Sequence, residues 1–365
     1  MSRPKSIALY NFDHGFDRPT TFRFGPYEFK ISEAHVRAAA KLSCHAKHHY
    51  TSDSHGHPVV HEEPPKAGRL AQTAGVRLVA QLPAGQPFLG GPPDADGIGD
   101  LCVLLSFMTG RRVLVRSELI DFEGTYYGDK VVGRNYFNEV GNFWPDLAAI
   151  HRHGLAPALW ALIQGNSTSD LIGRMCYASA ALDSIVTSWI KDHAMTSGVE
   201  EKVSKARKAV SEVIRAELGE SQTAMDALAK VGGLFAPSAW TKLATYLKAK
   251  GLLSSKATED EVSRAKLLNS TRNRVVHTAD VPSELHRDFL RRAEIAAYVV
   301  VITTEICAGH LAAIMGIDDF QIQRSKLEVA EFFKSGILRG HKVFEEDYAS
   351  FVTRLKQTWL GSWEP

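Results

Sequence analysis

A chain of 365 residues, 44% hydrophobic and 23% charged, has the make-up of globular material, and its length favours two domains over one. The formal charge of +2 excludes recognition of nucleic acid by bulk charge, so any such affinity has to come from local basic surface. Cys44, Cys102, Cys176 and Cys307 lie far apart with no CxxC pair, which argues against a closed zinc site or a dense disulfide framework and for a reduced, cytoplasmic chain.

The opening stretch MSRPKSIALYNFDHGF has no apolar run of the length a signal peptide needs. Residues 1–165 read as a mixed α+β domain, with short apolar runs such as VRLVAQL (76–82) and RRVLVRSELI (111–120) between Gly and Pro clusters. Within it, CHAKHHYTSDSHGHPVVH (44–61) gathers Cys44, His45, His48, His49, His55, His57 and His61. Gly, Pro and Ser crowd that segment and no second ligand cluster is near, so it reads as a surface loop rather than a metal site. The run FLGGPPDADGIGD (88–100) lacks both a GxGxxG and a P-loop lysine and also reads as a loop.

The polar hexapeptide GNSTSD (165–170) marks the boundary, and residues 166–365 read as an all-α domain. Helices are expected near 170–193, 199–218, 238–250, 258–277, 283–315, 322–335 and 345–359, with a short helix and then a loop between 219 and 238. The most apolar stretch, 295–317, is long enough to tempt a membrane reading. Glu305 and His310 interrupt it, so a buried central helix is expected and no membrane partner.

The helix near 258–277 carries the functional argument. Thr258 and Glu261 form a T-x-x-E capping box at its start, and Asp280-Val281-Pro282 stops it soon after His277. At about 100° per residue, Val262, Ala265, Leu268, Val275 and Val276 form one core-facing stripe. Arg272 falls in the middle of that stripe. A guanidinium cannot shed its proton there and is costly unless paired or facing a cleft. Asn273 and His277, four apart, share the adjoining face. Arginine supplies fixed charge for a phosphate, a histidine near neutrality moves protons, and an asparagine orients the imidazole or a phosphate oxygen.

The string LLNSTRNRVVHTADVP (267–282) resembles the signature of the HEPN superfamily: an arginine, usually followed by asparagine, then a histidine after four to six residues. Here four residues separate Arg272 from His277. The resemblance covers roughly residues 170–317. It implies a HEPN-like helical bundle and a homodimer in which two such helices face each other across a composite site that cleaves RNA without a metal or other cofactor. His277 is then the acid and base, Arg272 holds the scissile phosphate and Asn273 orients. Some HEPN families add an acidic residue on the first helix, and the matching carboxylate here is Asp183. The stretch DLCVLLSFMTGRRVLV (100–115) loosely resembles the N-terminal domains of anti-phage proteins of the ApeA type. That implies a regulatory or sensor role for residues 1–165 and a toxin-like or abortive-infection effector acting on tRNA or other cellular RNA.

Arg264, Lys266, Arg274, Arg287, Arg291 and Arg292, on the motif helix and its successor, are candidates to contact RNA phosphates, or else form a solvated face. Two further readings stay open: a catalytically silent HEPN module that binds RNA or protein, and an all-α domain in which Arg272 is merely salt-bridged inside its own subunit.

Overall fold

The computed structural model describes residues 6–42, 47–52, 58–63, 71–82, 89, 96–115, 130–168, 170–193, 200–234, 237–278, 289–338 and 341–342. The chain begins with a small antiparallel sheet and continues as mostly helices. Strands β1 (Ile7–Tyr10), β2 (Thr20–Phe24), β3 (Tyr27–Ile31), β6 (Gln72–Leu78) and β7 (Leu114–Val115) align in the order β2-β3-β6-β1-β7. The β2–β3 hairpin turns on Gly25 at φ +55°, where an added Cβ would lie 2.3 Å from Trp144. Glycine is required there twice over, by the backbone angle and by the indole. Phe12, Phe24 and Phe29 project into the core, where Phe12 and Phe24 meet Phe137, Phe24 meets Trp144 and Phe29 meets Phe12.

Three expectations in this half need adjustment. The strand expected over 76–82 is β6, and it ends at Leu78 because the Val79 and Ala80 amides turn to the Pro26 carbonyl. The histidine-rich segment is not simply a loop: strands β4 (Lys47–Ser52) and β5 (Pro58–Glu63) pair antiparallel there, with His49 opposite His61. Of the GxGD run, residues 98–100 open α2 (Ile98–Thr109), whose buried Asp100 carboxylate accepts from the Leu89 amide.

Helices α1 (Glu33–Leu42), α3 (Tyr136–Glu139), α4 (Leu147–Arg152) and α5 (Ala156–Asn166) complete the first half. The second half carries α6 (Leu171–Asp192), α7 (Glu200–Leu218), α8 (Gln222–Leu234), α9 (Ala239–Ala249), α10 (Glu259–Thr278), α11 (Phe289–Ile314) and α12 (Phe320–Ser335), then β8 (Ile337–Leu338) and β9 (His341–Lys342). The helix expected near 345–359 lies outside the described residues. Asp170 caps α6 through the Gly173 amide at 2.6 Å. Both bonds of the capping box are made at α10: the Thr258 amide donates to Glu261 Oε2 at 2.6 Å and the Glu261 amide to Thr258 Oγ1 at 3.2 Å.

Helices α6, α9, α10, α11 and α12 form the bundle, with α5 packed along α6. Helix α11 is mostly apolar over Ile295–Ile314 because it is the central member: that stretch is 72% buried against neighbouring elements. The boundary expected at 165/166 falls in the last turn of α5. One apolar core runs across it, from Leu9 and Phe107 through Ile163 and Ile185 to Leu311. The Gly133 amide also donates to Asp319 Oδ1, and the Asp146 amide to the Met315 carbonyl. The two halves thus differ in secondary structure while sharing a core.

Candidate functional site

On α6, Ala178, Ala181, Leu182, Ile185, Val186 and Trp189 form the buried stripe, and Asp183 stands on its flank, 47% exposed. On α10, Ala265, Leu267 and Leu268 are 2% exposed or less and pin the helix to the bundle. One turn further along, the same face delivers Arg272 to the rim, where it is 31% exposed. Its Nη2 donates to Asp183 Oδ2, and its Nη1 donates to Asn273 Oδ1 at 2.8 Å. Arg272 Nε is buried and has no acceptor among the described residues. Because both partners of the ion pair reach solvent, it contributes about 0–1 kcal/mol to folding. What it does is fix the plane of the guanidinium.

That guanidinium lines a cleft of about 180 Å³ between α6, α9 and α10. Thr187, Lys242 and Asn269 add polar groups to its wall, over Leu182, Leu243 and Leu268. Two cations against one carboxylate leave the cleft with a net positive field, which suits a phosphodiester. The sequence reading singled out neither Asn269 nor Thr187, although Asn269 stands three residues before Arg272 and Thr187 four after Asp183, spacings that share a helix face. Lys242 gave no signal, since only the packing of α9 against α6 and α10 brings it here.

The remaining candidates are scattered. The α10 backbone extends through His277, four residues beyond Asn273, but the His277 side chain lies outside the described residues, as do those of Val275 and Val276. Lys266 is exposed, its ammonium 5.6 Å from the centre of the Trp240 ring on α9. Arg274 is exposed. Arg287 lies outside the described residues, and Arg291 and Arg292 are on α11 with side chains outside them.

Arg264 requires a correction. It is not on an open basic face: it is 6% exposed, and its Nη1 donates to the carbonyls of Phe333 and Lys334, at 2.8 and 2.5 Å, at the end of α12. A cation on the last carbonyls of a helix satisfies acceptors that have no partner within that helix and complements its dipole. Arg264→Met should therefore lower stability by roughly 2–3 kcal/mol, read from the urea midpoint. An unchanged midpoint would contradict this account.

Among the described residues no three His, Cys, Asp or Glu side chains are grouped so as to hold a metal ion. Cys102, Cys176 and Cys307 are free thiols, and burial pushes the Cys307 thiol up, helped by the nearby Asp183 carboxylate. No family model, no curated protein and no solved structure matches the chain.

Proposed function

We propose that this chain is a metal-independent endoribonuclease of the HEPN type, acting as a homodimer and serving as a toxin-like or anti-phage effector against tRNA or other cellular RNA. One observation carries the reading: Asp183 on α6 and Arg272 on α10, far apart in sequence, pair in the wall of an open cleft, and Asn273 accepts from the same guanidinium. Lys266, Asn269 and Asn273 follow one row along α10 beside Arg272, and the His277 backbone continues that row.

In this reading the ribose 2′-oxygen attacks the adjacent phosphorus while His277 takes its proton. The bond to the 5′-oxygen breaks, and that oxygen leaves with a proton from an imidazolium. Arg272 stabilises the charge that builds on the phosphoryl oxygens. The products are a 2′,3′-cyclic phosphate and a 5′-hydroxyl, and DNA, lacking the 2′-hydroxyl, is not cut.

Purified protein incubated with total RNA and EDTA should yield cyclic-phosphate ends, and His277→Ala should yield none at equal protein concentration. No cutting by the wild type, or equal cutting by the variant, defeats the assignment.

The engagement of Arg272 by Asp183 within one chain also favours a second reading, a structural ion pair in an all-α domain. That reading predicts neither RNA cleavage nor RNA retention, whereas a catalytically silent module retains RNA without cutting it. The same incubation, followed by a filter-binding measurement, separates the three.

A further inference from the structure

A second cleft, of about 190 Å³, opens between α9, α11 and α12 and shares no lining residue with the Arg272 cleft. Its floor is apolar, formed by Leu252, Ile306, Ile322 and Val329 with the buried ring of Tyr246. Two ammonium groups stand at it, Lys250 from the C-cap of α9 and Lys326 from α12. Burial, and then the Lys326 charge, hold the half-buried Lys250 ammonium below its ordinary pKa, while Lys326 itself is exposed at the mouth of the cleft. Glu305, itself buried, lines the same cleft and brings one carboxyl group to it.

His310 sits among these groups on α11, 7% exposed, with its ring centre 5.6 Å from that of Tyr246. Its Nδ1 is buried and has no hydrogen-bond partner among the described residues. A buried imidazole nitrogen without a partner loses the solvation it had in water, and such a group calls for an occupant.

We propose that this cleft binds a small organic monoanion, a carboxylate on a single-ring apolar body, held at its charged end by Lys250, Lys326 and the orphaned ring nitrogen of His310. The charge count sets the ligand class. Two lysines against one carboxylate leave one positive charge, which a monoanion neutralises and a phosphate dianion overfills. The volume sets its size, being below the roughly 300 Å³ at which pockets for drug-sized ligands begin. The apolar floor and the Tyr246 ring supply the contact for a flat hydrocarbon body.

The test is calorimetric titration of the full chain with benzoate, with benzamide as the uncharged isostere and phenyl phosphate as the dianion. Benzoate should bind saturably, and benzamide about tenfold or more weaker. Lys250→Met and Lys326→Met should each weaken benzoate about tenfold, while Lys250→Arg retains most of the binding. Far-UV circular dichroism of each variant checks that it folds, and these substitutions at the rim of the cleft leave the core of the bundle alone. Absence of saturable benzoate binding to the wild type overturns the proposal, as does unchanged affinity in the double methionine variant. Equal binding of benzamide overturns the assignment of an anion, and tighter binding of phenyl phosphate overturns the monoanion.

Discussion

Replacing Arg272 by alanine should lower RNA cleavage by about a thousandfold while moving the melting temperature by only a few degrees. The asymmetry follows from geometry. The side chain is 31% exposed and its partner Asp183 is 47% exposed, so the pair is screened by solvent and contributes at most about 1 kcal/mol to folding. The same guanidinium is the one cation in the cleft whose plane is fixed from two sides, by Asp183 and by Asn273. A donor held that way needs no reorganisation when charge develops on a phosphoryl group, and this is where catalytic energy is concentrated.

Asp183→Asn keeps an acceptor for Arg272 but removes the charge, and the expected loss is smaller, about ten- to a hundredfold, as for groups that orient another. If Asp183 acts through Arg272 alone, the double variant should be no worse than Arg272→Ala. Wild-type cleavage rates in Arg272→Ala would remove Arg272 from the mechanism. A large fall in melting temperature with cleavage intact would make the ion pair structural.

The candidate site was legible in the sequence only as far as its geometry is set locally. Thr258 and Glu261 lie three apart and fix the start of α10, and Arg272 stands out because it occupies a position where an apolar residue is expected. What was not legible depends on distant packing. Arg264 looks in sequence like one more basic residue on a helix. Its acceptors, the Phe333 and Lys334 carbonyls, are 69 and 70 residues away, so its burial could not be anticipated. The histidine-rich segment was misjudged for a related reason: Gly, Pro and Ser suggested a loop, while the pairing of β4 with β5 depends on a register that composition does not encode. The antiparallel sheet order, with β6 between β3 and β1, is likewise set by pairings across long stretches of chain.

Acidification should destabilise the protein between about pH 6.5 and about pH 4, and two buried histidines account for most of the expected loss. His14 is 1% exposed and His310 is 7% exposed. Burial is the main cause that lowers each from 6.5 to about 4. The neighbouring Asp13 opposes the shift at His14, and Lys250, His153 and His193 add to it at His310. Both rings are therefore neutral in the folded chain at pH values where the unfolded chain takes up protons. With the folded pKa depressed, stability is fully present above about 6.5 and falls as pH drops toward 4. At about 1.36 kcal/mol per pKa unit, the difference amounts to roughly 3 kcal/mol for each histidine as an upper bound. The Asp146 carboxyl, held low chiefly by Arg152, acts in the same direction, but it is half exposed and its share is small. His14→Asn keeps an acceptor for the Phe16 amide, which His14 Nδ1 now accepts at 3.0 Å, and His310→Phe keeps a ring beside Tyr246. Urea midpoints measured at about pH 7 and about pH 4.5 should fall steeply for the wild type, about half as much for either single variant, and least for the double variant. A double variant that loses as much stability in acid as the wild type would show that these two rings are not what acid attacks.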